Sequence, residues 1–313
     1  MSNAPIAILT LNPAVDMTYE ISRLLPDHKV HARATRFDPG GNGINVARGL
    51  KRLGVNAHSF CVLGGEIGAL LERLLRHQID TLTIERVEGE TRINGTAIEL
   101  QPAAQYEIAG IGPPIPEEKL SRLLDTFRAS CRQGFGVLTG SVQLHDDQFY
   151  ARQVETIHAN GGRAIVDAQD ALLLNAVAAK PFLIKPNRYE LEQLTGVSVD
   201  TVEAAASQAR KLQRAGVENV CVSLGPEGAV WVHPSGCYHA VPPCVKVNST
   251  VGAGDSMVAA LIAGLSTGKT VEETLRLAVA CSAGTVAQPG TELFDADQLP
   301  ALQARVSIRK LDI

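Results

Sequence analysis

Residues 252–264 of the chain read GAGDSMVAALIAG, so small residues and one acid lead directly into an apolar run. A helix that begins here leaves its first backbone N–H groups without intrahelical partners, and its dipole places partial positive charge at that end. This helix start therefore favours an anion, such as a phosphoryl group in transfer. Asp255 has two interpretations on this stretch alone. It either stabilises the helix start, by about 0.3–1 kcal/mol, or acts as a general base, worth ~10²–10⁴ in rate.

Outside this stretch, strand-like and helix-like segments alternate along most of the chain. Helical periodicity is visible in Val46, Leu50 and Leu53, which share one face, and in similar stripes elsewhere. Several strand-like runs are almost continuously apolar, as in a parallel sheet that is covered on both faces. The sequence therefore predicts an α/β fold with a doubly wound sheet, whose ligands lie beyond the carboxyl ends of the strands. The predicted strands lie at 6–11, 59–63, 136–140, 164–167, 182–185 and 220–224.

Two stretches, at about 14–38 and 81–109, interrupt this alternation. The first has no helix signal, and within the second, residues 95–100 alternate like a half-exposed strand. We expect the two stretches to meet in a small antiparallel sheet beside the main one. Because no repeat or low-complexity linker separates them from the rest, residues 1–313 are predicted to form a single domain.

The composition excludes several classes of protein. Hydrophobic residues make up 45% of the 313 residues, and the net charge is −4. With a pI of about 6.1 the chain has no basic field for nucleic acid or anionic membranes. Its six cysteines form no C-x-x-C pair, which is typical of reduced thiols. The longest apolar run, 258–265, is shorter than the ~18 residues of a membrane span. We expect a cytoplasmic protein without nucleic-acid or membrane partners.

A second glycine-rich turn, GGNGIN at residues 40–45, opens another predicted helix. As a dinucleotide fingerprint it fails, because no predicted strand leads directly into it and no acid follows at the end of a second strand. This argues against an NAD-linked enzyme. The glycines let a ligand approach the backbone, and Asn45 is placed to bond sugar hydroxyls. The alternative is an ordinary tight turn with Asn near a helix start.

Two further turns follow predicted strands. Asn187 and Glu190, in the stretch KPNRYE, lie one helical turn apart and suit water molecules bound to Mg²⁺, which prefers oxygen ligands. The alternative is a helix cap with an acid in the first turn. Residues 223–228, SLGPEG, are interpreted as a hairpin turn.

Taken together, these residues resemble the ribokinase-like family of sugar kinases, in its phosphofructokinase-B branch. The resemblance covers essentially the whole chain and departs from the branch at three places. Asn42 stands where Gly or Lys is frequent, residues 142–145 replace Leu-Pro-Pro-Gly, and His31 stands where type 2 phosphofructokinases often carry Arg. The stretches that carry the resemblance are TLNPAVD (10–16), DPGGNGINVAR (38–48), KPNRYE (185–190), SLG (223–225) and STVGAGDS (249–256).

The resemblance implies a ribokinase-like three-layer fold with a β lid, and transfer of phosphoryl from ATP to a sugar phosphate. It makes Asp255 the base and places the anion hole at Gly252, Ala253 and Gly254. It implies a homodimer formed through the lid, and Mg²⁺ near Glu190, while a requirement for K⁺ stays open. The implied sugar-binding residues are Asp16, Lys29, Gly41, Asn45, Arg92 and Ser141, with Lys29 and Arg92 at the phosphate. The implied nucleotide-binding residues are Lys185, Asn187, Ser223, Gly225, Gly228 and Thr250.

The expected reaction is conversion of fructose 6-phosphate to fructose 1,6-bisphosphate. Residues 26–29, 38–41 and 289–293 resemble type 2 6-phosphofructokinases, whereas 185–190 and 91–94 look equally like 1-phosphofructokinases. A 1-phosphofructokinase and a tagatose-6-phosphate kinase are therefore alternatives. A non-catalytic sugar-phosphate sensor is an alternative of another class, and the intact Asp255 argues against it.

Overall fold

The computed structural model describes residues 4–144 and 146–313. Residues 1–3 and His145 lie outside the described residues. His145 is the last residue of the stretch 142–145, which replaces the Leu-Pro-Pro-Gly of the branch. The strands are β1 (Ile6–Thr10), β2 (Ala14–Ile21), β3 (Ala32–Gly40), β4 (His58–Gly64), β5 (Thr81–Val87), β6 (Arg92–Leu100), β7 (Ala103–Ile108), β8 (Phe135–Thr139), β9 (Arg163–Asp167), β10 (Leu183–Ile184), β11 (Asn219–Ser223), β12 (Ala229–His233), β13 (Gly236–Val241) and β14 (Ser307–Leu311). The α-helices are α1 (Asn42–Arg52), α2 (Gly65–Leu75), α3 (Glu117–Ser130), α4 (Phe149–Ala159), α5 (Asp170–Ala178), α6 (Arg188–Thr195), α7 (Val202–Arg214), α8 (Ala253–Ser266), α9 (Val271–Val286) and α10 (Leu299–Ala304).

Among the residues that the structure describes, the main sheet has ten strands in the order β14-β13-β12-β11-β10-β9-β8-β1-β4-β5. All neighbours from β11 to β5 are parallel, and β12, β13 and β14 extend the sheet as antiparallel strands. All six strands predicted for the main sheet are present in it, as β1, β4, β8, β9, β10 and β11.

Helices cover both faces of this sheet, which explains the continuous apolar runs. In β1, Ile6 and Ile8 belong to the core cluster that α1, α2, α8 and α9 complete. Ala7 and Leu9 belong to the cluster on the opposite face, with α3, α4, α6 and α7. Both faces of a strand must be apolar when both are buried. The predicted doubly wound, three-layer α/β fold is therefore confirmed.

In the described part of the chain, a second sheet of four strands, in the order β3-β2-β6-β7, forms the lid. Its outer pairs are antiparallel, but the central pair β2–β6 is parallel, with Ala14 opposite Arg92. The expectation that the second excursion begins at residue 81 is wrong, because β5 pairs with β4 at the edge of the main sheet. Leu82 and Ile84 of β5 pack on the core from one side only, and an edge strand of this kind alternates like a lid strand.

The turn at residues 40–45 is also preceded by a strand, contrary to the sequence-based expectation. β3 ends at Gly40 and α1 begins at Asn42. Because β3 belongs to the lid, this strand and helix are not part of a dinucleotide-binding βαβ unit. Within residues 4–144 and 146–313, the structure contains no helix long and apolar enough to cross a bilayer.

Candidate active site

Asp255 lies in the first turn of α8, at the edge of the sheet where the parallel strands end. Its side chain is buried, and each carboxylate oxygen accepts one hydrogen bond from an asparagine of α1. Asn42 Nδ2 is 3.0 Å from Oδ1, and Asn45 Nδ2 is 2.9 Å from Oδ2. These bonds form because α1 packs along α8. The carboxyl group is thereby fixed from two sides at the start of a helix.

The surroundings of Asp255 suit a proton acceptor. Burial raises the pKa of Asp255 to about 6, and the charge of Asp167 acts in the same direction. The amides of Asn45 and Asn42 and the charge of Lys185 oppose this rise. The carboxylate is thus ionised at neutral pH, with a pKa close to the pH at which a general base works best. A residue that only stabilised the helix start would not need this environment.

Lys185 brings a buried positive charge to the same helix start. It follows β10, and its Nζ lies 3.3 Å from Oδ1 of Asp167 at the end of β9. A Cβ on Gly254 would lie 3.4 Å from that Nζ, so the ammonium group sits beside the first turn of α8. Burial tends to lower the pKa of Lys185, but Asp167 and Glu190 raise it above its ordinary value. The sequence-based assignment missed Asp167, although an acid at the end of a predicted strand is the signal that marks it.

The three residues expected to form an anion hole are half-buried at the start of α8. Gly252 has φ 77°, a left-handed conformation that only glycine adopts readily. The N–H groups of Gly254 and Asp255 have no preceding helical turn to donate to. Thr250 is exposed, and its carbonyl accepts from the N–H of Ala253 at 3.4 Å. Thr250 therefore contacts this turn through its backbone.

Asp16 lies in the lid strand β2 and is buried, on the face of the lid that is turned toward the main sheet. Its Oδ1 accepts a hydrogen bond from Asn94 Nδ2 at 2.8 Å. Burial raises the pKa of Asp16, and Asn94 and Arg92 oppose the rise. Any side chain at Gly40 would collide with the Asp16 carboxyl group, since a Cβ there would lie 2.2 Å from Oδ1. Asn94 was not singled out as a site residue, although it lies two positions after Arg92 on the same strand.

The loops after β1 and β8 meet beside this acid. Ser141 Oγ accepts a hydrogen bond from Asn12 Nδ2 at 3.0 Å, and Arg92 Nε donates to the carbonyl of Asn12 at 3.1 Å. Gly41 has φ 101°, and a Cβ there would lie 3.0 Å from Cα of Pro13. Asn12 therefore links two expected sugar-side residues, Ser141 and Arg92, near Gly41.

Lys29 is the expected sugar-side residue that the structure does not bring to the others. It is exposed in the connection between β2 and β3, which lies outside both sheets. Within the described residues, no hydrogen bond or ion pair joins it to the lid strands or to the sheet edge.

Asn187 and Glu190 form a reciprocal cap at the start of α6. Asn187 Oδ1 accepts from the Glu190 N–H at 2.9 Å, and Glu190 Oε2 accepts from the Asn187 N–H at 2.8 Å. This is the helix-cap alternative derived from the sequence. Ser223 lies beside Asn187 through an isolated parallel bridge. Burial raises the pKa of Glu190, and Lys185 opposes that rise.

The two glycines of the turn after β11 differ in their surroundings. Gly225 has φ 59° and open space where a Cβ would lie. Gly228 has φ 89°, and a Cβ there would lie 1.9 Å from the carbonyl oxygen of Ala240. Packing alone therefore requires glycine at 228, without any contact to a nucleotide.

Arg48 supports the residues that hold Asp255. It is 1% exposed, and its Nη1 donates to the carbonyl of Pro39 and to Oδ1 of Asn45, both at 3.2 Å. Its Nε donates to Gln78 Oε1 at 2.7 Å. Because Oδ1 of Asn45 is engaged by Arg48, its Nδ2 is turned toward Asp255. The role of Arg48 was not deduced from the sequence, since its partners come from β3, α1 and the loop after α2.

The model of the pfkB family of carbohydrate kinases matches residues 5–298. The chain belongs to this family. It is an ATP-dependent carbohydrate kinase, as the resemblance of its motifs implied.

Individual relatives match nearly the whole chain of this kinase. It is 34% identical over 303 residues to the 1-phosphofructokinase of Bacillus subtilis, covering 95% of this chain and 98% of that protein. It is 32% identical over 312 residues to the 1-phosphofructokinase of Haemophilus influenzae, covering 99% of each. The crystal structure of phosphofructokinase-2 from Escherichia coli in complex with substrates and products matches it with a TM-score of 0.92 and 31% identity, over 96% of this chain and 98% of that one.

The kinase family implies Mg²⁺ with the nucleotide, and the acids of this site fit that mode of binding. In the described part of the chain, no group of three or more His, Cys, Asp or Glu side chains could hold a metal ion by itself. Mg²⁺ usually binds through one or two carboxylates together with substrate phosphates and water. Asp167 and Glu190, both close enough to act on the charge of Lys185, supply such carboxylates. They suit a Mg²⁺ ion that arrives with ATP.

Proposed function

We propose that this kinase phosphorylates a hydroxyl group of a ketohexose phosphate, with Asp255 as the general base. The observation that carries the proposal is the buried Asp255 carboxylate, which Asn42 and Asn45 hold at the start of α8. There the N–H groups of Gly254 and Asp255 have no preceding helical turn to donate to. Asp255 accepts the proton of the acceptor hydroxyl while that oxygen bonds to the γ-phosphorus and the bond to ADP breaks. The N–H groups of α8 and the Lys185 ammonium stabilise the negative charge of the transferring group.

The nucleotide supplies the phosphoryl group, and Mg²⁺ neutralises part of its charge. Asp167 and Glu190 are the carboxylates that would hold the ion. Lys185 keeps both acids close to the start of α8 by its charge. A dependence on K⁺ is tested by comparing rates in potassium and choline chloride at equal ionic strength.

For the acceptor, the proposal is fructose 1-phosphate, which replaces fructose 6-phosphate as the leading candidate. Curated relatives that span nearly the whole chain are named 1-phosphofructokinase. The stretches 185–190 and 91–94 support the same choice, because they look like those enzymes. Fructose 6-phosphate is the second candidate. It is supported by the likeness to phosphofructokinase-2 and by the stretches 26–29, 38–41 and 289–293.

The deciding measurement is kcat/KM for fructose 1-phosphate, fructose 6-phosphate and tagatose 6-phosphate at saturating Mg-ATP. We expect fructose 1-phosphate to exceed the other two by at least tenfold, which corresponds to about 1.4 kcal/mol. If kcat/KM for fructose 6-phosphate is tenfold higher than for fructose 1-phosphate, the substrate assignment is wrong and the assignment of Asp255 as the base is unaffected. Binding of a sugar phosphate without turnover of any of the three would indicate the non-catalytic sensor.

The lid is proposed to form a homodimer interface. In the strand register, Phe37, Met17, Gly95 and Ile108 lie in one row across the lid, on the face opposite Asp16. Phe37 is 46% exposed and Ile108 is 73% exposed. An apolar face of this kind is typical of a protein interface.

The dimer is tested by sedimentation velocity of the variant Ile108→Lys. A charge on this face is expected to shift the protein to monomer at micromolar concentration. Leu174→Lys, at a residue of α5 that is 54% exposed, is the matched control and should leave the dimer intact. A wild-type protein that is monomeric, or a dimer unaffected by Ile108→Lys, would contradict a lid interface.

The proposed location is the cytoplasm. All six cysteines are free thiols, five of them buried and Cys244 exposed. Thiols that are not paired are characteristic of a reducing compartment. Fractionation of the native host, followed by immunodetection, tests this location.

A further inference from the structure

We propose that Asn42 is a positioning residue for the base, whose side-chain amide holds Asp255 in the orientation that accepts the substrate proton. This inference rests on the proposed role of Asp255. It assigns a function to a position where this chain departs from the residues frequent in its branch, Gly and Lys.

The geometry that carries the proposal is a pair of amide donors on one carboxylate. Asn42 Nδ2 lies 3.0 Å from Oδ1 of Asp255, and Asn45 Nδ2 lies 2.9 Å from Oδ2. An ionised carboxylate has two lone pairs on each oxygen, so each oxygen keeps one for a substrate hydroxyl. The two bonds together prevent the carboxylate from rotating about its Cβ–Cγ bond.

The amide of Asn42 favours one protonation state of Asp255. Its N–H group faces the acid, while its Oδ1 lies on the side of Gly140, where a Cβ would approach to 3.1 Å. A protonated acid has one oxygen that carries hydrogen, and that oxygen would meet an N–H donor. The arrangement therefore stabilises the ionised, proton-accepting form.

Asparagine supplies this bond without adding a charge. The charged groups that face Asp255 are Asp167 from β9 and Lys185 after β10. From α1 the facing groups are the neutral Asn42 and Asn45, and the α9 residue beside the start of α8 is the neutral Thr285. A lysine at position 42 would add a second cation and weaken the base, whereas glycine would leave one oxygen without a donor.

The first test is a titration of Asp255 in the free protein, which does not depend on any substrate. Protein labelled with ¹³C at the aspartate carboxyl carbon is followed by NMR from pH 4 to 8, and the signal is assigned by its absence in Asp255→Asn. We expect Asn42→Ala to raise the pKa of Asp255 by about half a unit to one unit. Asn42→Asp should raise it further, because two carboxylates then share one proton. Asn160→Ala, at the exposed end of α4, is the control and should change nothing.

The second test is the pH dependence of turnover. The acidic limb of kcat/KM for Asn42→Ala should move upward by the same amount as the NMR titration, with kcat reduced and the KM for ATP unchanged. An unchanged titration of Asp255 in a folded Asn42→Ala protein would overturn the proposal. Failure to phosphorylate any ketohexose phosphate would instead overturn the proposed function, because the NMR result stands without it.

Discussion

Replacing Asp255 with Asn is expected to reduce turnover by at least ~10², the lower end of what a general base contributes. The substitution keeps the shape of the side chain and its place in the first turn of α8, but it removes the group that accepts the proton. Binding of ATP should change little, because the N–H groups of α8 and Lys185 are retained. The loss should therefore appear in kcat and hardly in the KM for ATP.

The structure also predicts how this variant affects stability. Folding raises the pKa of Asp255 from 3.8 to about 6, so above pH ~6 the buried, ionised carboxylate opposes folding. At neutral pH this amounts to about 3 kcal/mol, which fades as the pH falls below 6 and approaches 4. The introduced amide removes that cost. Its NH₂ group cannot accept from Asn42 or Asn45, however, and one unsatisfied donor costs about 1–3 kcal/mol. The two effects oppose each other, so the melting temperature should shift by only a few degrees.

The assay is a rapid-quench measurement of a single turnover from pH 5 to 8, with melting temperatures recorded at each pH. The wild-type rate should fall about tenfold per pH unit below pH ~6, because the ionised base is the active form. The variant should show a slow rate without that dependence. If the variant keeps more than a third of the wild-type rate while chemistry limits turnover, Asp255 is not the base.

Four further substitutions test other parts of the site. Arg92→Ala should reduce kcat/KM for sugar phosphates by roughly 10–150-fold, since a charge-assisted hydrogen bond contributes about 1.5–3 kcal/mol. An equal loss of kcat/KM for unphosphorylated sugars would argue against a contact between Arg92 and the phosphate. Gly225→Ala should lower the free energy of unfolding by about 1–2 kcal/mol in chemical denaturation, the cost of a left-handed φ for a residue other than glycine. Gly228→Ala should lower it by more than that, because its Cβ would also meet the carbonyl of Ala240. Glu190→Gln keeps a side-chain oxygen for the helix cap and removes the charge, so the Mg²⁺ concentration for half-maximal rate should rise several-fold. The melting temperature should not fall, because burial opposes the ionised form of Glu190. An unchanged Mg²⁺ requirement would leave Glu190 with only its capping role.

The sheet strands and the reactive helix could be predicted from the sequence because both depend on local patterns. The run Ile6–Thr10 is almost continuously apolar because both faces of the strand are buried. A run of this kind is visible in consecutive residues of the sequence. The start of α8 could also be predicted from the sequence, since Gly252 and the small residues after it lead into an apolar helix. Periodicity and turn residues indicate which faces of each helix or strand are buried. That information was sufficient to predict the fold class.

Periodicity does not report which element lies next to which. The residues 81–87 alternate because Leu82 and Ile84 pack on the core. Only the strand pairing shows that they belong to the edge strand of the main sheet and not to the lid. The parallel pairing of β2 with β6 could not be predicted from the sequence for the same reason. Lys29 is assigned to the sugar phosphate by resemblance, and this assignment stays a prediction; the structure shows that Lys29 is exposed in the connection between β2 and β3.

The chemistry of Asp255 was decided by tertiary structure. Its type and its helical position are local features, and they left a helix-stabilising acid and a general base equally open. The two amides that hold it come from residues 213 and 210 positions away, and its charged neighbours Asp167 and Lys185 end other strands. Hydrogen bonds act over about 3 Å and a buried charge acts over several ångströms. Only the packing of α1 and of these strand ends against α8 brings such groups within that range.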